Sequence, residues 1–227
     1  MSRRGRRTWP RTLASALSLP LLVAALLPAV SLTTAWQAFA SEDSGRAASA
    51  SKDTPASNGT PASTDTSASA LARRDRALLE QQLATMPASR PGHPDLYVIG
   101  FAGDGNEDVF RNEVDYLDTL ASKRLDAEGR VIGLVNHPDS LQRTPRPLAT
   151  LANLRIALDG IGARMDRNED ILLLYITTHG SEDHQLAVQL EGELDSGLSP
   201  KQLRGALDHA GIDYRVLVVS ACYSGGF

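Results

Sequence analysis

Val216-Leu-Val-Val-Ser-Ala-Cys-Tyr-Ser-Gly-Gly-Phe227 is a short apolar run that stops at the only cysteine of the chain, Cys222, and turns into two glycines. Ile171-Leu-Leu-Leu-Tyr-Ile-Thr-Thr-His-Gly180 stops in the same way at His179. Short apolar runs closed by turn residues read as buried strands. If the two are neighbouring parallel strands, a thiol and an imidazole emerge side by side at one edge of a sheet. That pair is the minimum apparatus for nucleophilic catalysis by cysteine.

Working outward, the rest of the C-terminal half alternates between the two periods. Leu96–Phe101 and Val131–Val135 read as further apolar strands. Asp108–Leu125 carries Phe110, Val114, Leu117, Ala121 and Leu125 on one helical face. Ala149–Met165 does the same with Leu151, Leu154, Leu158, Ile161 and Met165. A Pro-rich loop is expected over Asn136–Pro147, and a short excursion strand over Leu186–Leu190. The next helix is fully punctuated: Ser199 suits the N-cap, Pro200 the first helical position and Gly211 the stop. Its inner face is Leu203, Ala206, Leu207 and Ala210. Wholly apolar strands separated by helices imply an α/β fold with a parallel sheet covered on both faces. In such sheets ligands sit beyond the carboxyl ends of the strands, where both His179 and Cys222 fall. Their separation of 43 residues accommodates one crossover containing a helix.

The N-terminal part is different. Residues 1–40 hold five Arg and no acid, and an uncharged stretch runs from Thr12 to Ala40, ending in Ala38-Phe-Ala40. This reads as a signal peptide for export to a periplasmic or extracellular space, with an uncleaved membrane anchor through residues 12–40 as the alternative. Residues 41–70, rich in Ala, Ser and Thr, read as a disordered linker, and residues 71–89 as an amphipathic helix with Leu71, Leu78, Leu79, Leu83 and Met86 in one stripe. Removing the five leader arginines from 23 basic residues leaves 18 against 27 acidic ones. So acidic a domain has no electrostatic footprint for nucleic acid. A single cysteine excludes an internal disulfide, and after export it is an unpaired thiol that must be buried or used.

A thiol needs a base to become a thiolate, and a leaving amine needs a proton. His179 can serve both. The backbone N–H groups of Gly180 and Cys222 are the expected oxyanion donors, glycine letting the chain approach a substrate closely. The competing readings are a buried structural cysteine and a loop histidine. Gly100-Phe-Ala-Gly-Asp-Gly105 lacks the glycine order of a dinucleotide fingerprint. His179 and His184 are five positions apart, but nothing nearby completes a zinc set. Asp104, Glu107 and Asp108 read by default as solvated turn residues. No metal and no organic cofactor is implied.

Thr178-His179-Gly180-Ser181 after one apolar strand, with Ser220-Ala-Cys-Tyr-Ser-Gly-Gly226 after the next, resembles the C13 peptidases, the legumain family that includes the catalytic subunit of the GPI transamidase. Leu96–Gly105 and Val109-Phe-Arg-Asn-Glu-Val114 resemble its bacterial branch. The resemblance runs from about Arg90 to the last residue. It implies a three-layer, caspase-like α/β fold with a mostly parallel sheet, incomplete here at the C-terminus, so that residues 90–227 form a partial peptidase domain. It implies a dyad of His179 as general acid/base and Cys222 as nucleophile, and cleavage or transfer after Asn or Asp. Arg111 matches an arginine lining the P1 pocket of legumains, where a guanidinium fork meets a side-chain oxygen; its other reading is a solvated residue of the first helical turn. Three positions depart from the pattern. Asn112 stands where legumains carry His, Val109 falls near the Asn that steadies their catalytic His, and Ser220 replaces the Gln of caspases. The sequence therefore predicts a cysteine endopeptidase acting on peptide or protein substrates. A transpeptidase or transamidase using the same dyad, and a non-catalytic caspase-like interaction module, are the alternatives. A nucleotide-binding α/β protein is a third.

Overall fold

The structure is a computed structural model, and it describes residues 64–227. The leader over residues 1–40 and most of the linker read over residues 41–70 lie outside the described residues. In chain order the elements are α1 (Thr64–Thr85), β1 (Leu96–Ala102), α2 (Asp108–Arg124), β2 (Val131–Val135), α3 (Pro138–Leu141), α4 (Leu151–Gly162), β3 (Ile171–Thr177), β4 (Leu186–Leu190), β5 (Leu194–Leu198), α5 (Pro200–Ala210) and β6 (Arg215–Ser220), then a 3-10 turn over Ser224–Gly226.

Four strands form one parallel sheet in the order β2-β1-β3-β6. β1 and β3 run in register from Leu96 beside Ile171 to Ala102 beside Thr177. The chain moves from β1 outward to β2, then returns to the other side of β1 for β3. The winding direction therefore switches between β1 and β3. Crevices beyond the carboxyl ends at such a switch are where open α/β sheets bind ligands.

The apolar runs supply the core from both faces. Tyr97, Ile99, Phe101, Ile132, Leu134, Leu172, Leu174 and Ile176 are buried in one cluster with residues of α1, α4 and α5. Full burial of one such side chain is worth roughly 1.5–3 kcal/mol. The opposite face packs under α2, where Val98, Leu117 and Ala121 are buried together. This is a three-layer arrangement of helices on a parallel sheet, in agreement with a caspase-like fold. β6 does not share the double cover expected of an apolar strand. Leu217 and Val219 pack on the core, while Val216 and Val218, on the other face, remain 50% and 40% exposed. The cause is positional: α2 packs on β1, β2 and β3, and among the described residues no helix covers this face of β6.

Three expectations need correction in detail. α1 begins at Thr64, inside the segment read as linker. Its first turns are Thr, Asp, Ser and Ala, which cost at most about 0.7 kcal/mol per residue in a helix, and Leu79, Leu83 and Met86 further along anchor the helix in the core. The loop after β2 contains the short helix α3, with His137 at its N-cap and Pro138 at the first position. Leu186–Leu190 has a partner, β5, in an antiparallel hairpin. α5 matches its punctuation: Ser199 and Gln202 form a capping box, and Gly211 ends the helix at φ 62°.

Candidate active site

The carboxyl ends of β3 and β6 carry the two residues singled out above. Thr177 pairs with Ser220 as the last position in register. His179 and Cys222 each lie two residues beyond that pair, on adjacent strands. The Thr178 N–H donates to the Ser220 carbonyl at 3.2 Å and carries the pairing one step past the strands. Cys222 is exposed and unpaired. The His179 side chain is 56% exposed.

The two loops meet at Gly180. A Cβ added there would lie 2.0 Å from the carbonyl oxygen of Cys222, so no other residue fits without moving one of the loops. Among the described residues, neither the Gly180 nor the Cys222 N–H donates a backbone hydrogen bond. Beyond Gly180 the chain reverses through Ser181–Gln185 into β4, and the Ala187 N–H donates to the His179 carbonyl at 2.9 Å. A groove of about 280 Å³ opens beside His179, bounded by Gly180, Gln185, Gln189, Ser196 and Gly197 of this turn and hairpin.

α2 holds the other side. His179 Nε2 lies 2.7 Å from Glu107 Oε1. The His179 and Phe110 rings meet edge to face, with centroids 5.1 Å apart. One turn further along, Glu113 Oε2 accepts from the Tyr175 hydroxyl at 2.8 Å and from Thr177 Oγ1 at 2.5 Å. Burial, reinforced by this carboxylate, pushes the Tyr175 phenol above its ordinary value. These bonds anchor the start of α2 to the end of β3, immediately before His179.

Residues 157–227 match the model of the peptidase C13 family. The match covers the C-terminal 71 of the 227 residues, and over that segment the chain is similar to a family of cysteine-type peptidases. No curated protein matches the chain. The C13 match runs from inside α4 to the last residue, so it includes His179, Gly180 and Cys222. It does not extend to α2 and the residue that precedes it, which supply Glu107, Phe110 and Arg111.

Arg111 stands on another flank of α2. Its Nη1 lies 3.2 Å from Asp139 Oδ2 and 3.2 Å from His137 Nε2. His137 is itself fixed: its Nδ1 accepts from the Asp139 N–H at 3.1 Å, and its Nε2 lies 2.9 Å from Asp108 Oδ1. Arg111 also borders a small polar cavity of about 90 Å³ with Ser140, Thr144 and Arg146. His179 and Arg111 are thus joined through the start of α2, with Glu107 and Phe110 contacting His179.

Two contributors carry no signal in the sequence. Glu107 reads there as a solvated residue, yet it holds His179. His184 reads as a plain loop residue. It donates from Nδ1 to the Tyr223 carbonyl at 2.7 Å, and its ring packs against Gly226, which braces the turn that carries Cys222. Both contacts span tens of residues in sequence, and no local pattern announces them. Among the described residues, no three His, Cys, Asp or Glu side chains converge on a point that would hold a metal ion.

Proposed function

We propose that the chain is an endopeptidase in which Cys222 is the nucleophile and His179 the general acid/base. The observation that carries this reading is their equivalent position, each two residues past the paired Thr177 and Ser220, at the ligand-binding end of a parallel sheet. In the proposed reaction His179 takes the thiol proton as the sulfur attacks the scissile carbonyl. The N–H groups of Gly180 and Cys222 donate to the oxyanion. His179 then returns the proton to the leaving amine, and a thioester on Cys222 remains. Water, deprotonated by the same imidazole, attacks the thioester and frees the carboxylic acid.

The substrate is a peptide or protein. Arg111 is proposed to bind its P1 side chain, with preference for Asn or Asp, as the resemblance to legumains implies. Support for it is a guanidinium bordering an open polar cavity, where one of its donors can turn from Asp139 or Asn112 to a substrate oxygen. The basic start, long uncharged stretch and Ala38-Phe-Ala40 support export of the chain.

The test is cleavage of a peptide library carrying every residue at P1. Activity is expected on Asn or Asp peptides, with a loss of about 10⁴-fold or more in Cys222→Ala. Unchanged cleavage by Cys222→Ala contradicts the reading. A transferase resolves the same thioester with an amine, so repeating the assay with an added amine shows which acceptor is used.

A further inference from the structure

Glu107 occupies the N-cap of α2, where a side chain ordinarily accepts from the first free N–H groups of the helix. It makes no such bond. Its carboxylate is directed across the switch point instead, to within 2.7 Å of His179 Nε2, a residue 72 positions away in the chain. A carboxylate can only accept, so Nε2 carries the proton and donates. Nδ1 is then the single ring nitrogen left with a free lone pair. Phe110, three residues after Glu107, meets the same ring edge to face at 85° and restrains its rotation. One short segment at the start of α2 therefore fixes both the protonation and the plane of the imidazole.

We propose that Glu107 is the positioning residue of the catalytic pair. It holds His179 in the tautomer protonated on Nε2, so that Nδ1 takes the proton of the Cys222 thiol. It also stabilises the imidazolium that forms when that proton arrives. The inference rests on the reading of His179 and Cys222 as the catalytic dyad. The three groups then stand in the order carboxylate, imidazole, thiol, with the proton on Nε2 shared toward Glu107 and never leaving the ring. Glu107 and His179 are each a little over half exposed. Water screens the pair, so its effect is smaller than the loss of about 10⁴ that follows disruption of a buried carboxylate–histidine pair.

The experiment compares the full chain with Glu107→Ala, Glu107→Gln and Cys222→Ala, reading nitrogen NMR shifts of the labelled imidazoles and steady-state kinetics together. The unaltered chain is expected to show His179 protonated on Nε2 and bare on Nδ1. Glu107→Ala is expected to give a tautomer mixture, a kcat lower by about 10²-fold and an unchanged KM. Glu107→Gln keeps an acceptor oxygen and is expected to retain the tautomer and recover most of kcat. Because the side chain makes no cap bond, melting temperatures are expected to stay level. A His179 protonated on Nδ1 in the unaltered chain, or a Glu107→Ala protein with unaltered tautomer and kcat, overturns the proposal. If Glu107→Ala is unaltered while Cys222→Ala is dead, only the role of Glu107 falls. If Cys222→Ala retains activity, the dyad falls and this inference with it.

Discussion

The amino and carboxyl ends of β1 and β3 both carry charged and polar clusters, but the two are completed to different degrees. At the amino end, Asp95 is buried and its carboxylate accepts from the Arg90 N–H at 2.7 Å, from Arg90 Nε at 2.7 Å and from Arg130 Nη2 at 3.2 Å. Its own N–H donates to Asp170 Oδ1 at 2.8 Å, and Asp170 Oδ2 accepts from the Asp166 N–H. At the carboxyl end, Cys222 is exposed, His179 has one ring nitrogen engaged, and the N–H groups of Gly180 and Cys222 are open. In the first cluster every carboxylate oxygen of Asp95 and Asp170 has a donor, only the buried Arg130 Nε lacks an acceptor among the described residues, and the bonds tie the entrances of two strands together. The second keeps acceptors and donors free for something that arrives.

The contrast teaches how to weigh a displaced pKa. Burial pushes the Asp95 carboxyl up, but the hydrogen bonds from the Arg90 side chain and backbone, with the charge of Arg130, outweigh it and hold the group below the ordinary carboxylate range. The same partnership holds Asp126 low and Arg90 high. Among the described residues, each of these three groups is already hydrogen-bonded to another member of the cluster. A strongly perturbed carboxylate marks a functional site only when its partners leave room for a substrate.

The largest effect that sharpens the comparison falls on the amino end. Asp95→Asn leaves the Arg130 guanidinium, 7% exposed, without its charge partner. The expected loss is roughly 3–4 kcal/mol of folding stability in a denaturant titration, with unchanged turnover per folded molecule. The pH dependence has a definite sign. A carboxylate held low in the folded state contributes its full stability above the ordinary carboxylate pKa of about 3.9 and loses it as pH falls through the depressed folded value. The unaltered chain is expected to lose stability on acidification in that window, and Asp95→Asn to lose less of it.

Gly180→Ala strikes the open end. Its added carbon would lie 2.0 Å from the Cys222 carbonyl oxygen, so the two loops must part. The expected result is a fall in kcat/KM of about 10²-fold, equivalent to about 2.7 kcal/mol, with a smaller change in melting temperature. If stability falls and turnover does not, the open end is as structural as the closed one. His184→Ala tests the bracing of the Cys222 turn. Loss of one hydrogen bond to the Tyr223 carbonyl is worth about 1 kcal/mol, which is expected to appear as a fall of several-fold in kcat/KM.

Strands β1, β2 and β3 are legible in the sequence almost to the residue, because each is largely apolar and gives way to a glycine, an asparagine or a threonine. The capped helix α5 is legible because Ser199, Pro200 and Gly211 each act locally. β5 is not, since Leu194-Asp-Ser-Gly-Leu198 is polar at its centre and is a strand only through its pairing with β4. The exposed face of β6 is also hidden, because Val216 and Val218 look like core residues until the position of α2 is known. In the site, His179 and Cys222 can be read because both close apolar runs. Glu107 cannot, because a glutamate after a glycine-rich turn has the same local signature whether it meets water or an imidazole.

The central claim is that Cys222 is an activated nucleophile and that His179 activates it. The direct measurement is the rate at which a peptide bearing an electrophilic P1 group modifies Cys222, followed by mass spectrometry, in the unaltered chain and in His179→Ala. The account predicts modification at Cys222 and a rate lower by about 10²-fold or more without the imidazole. Equal rates in the two proteins, or a Cys222 that the peptide never modifies, would contradict it.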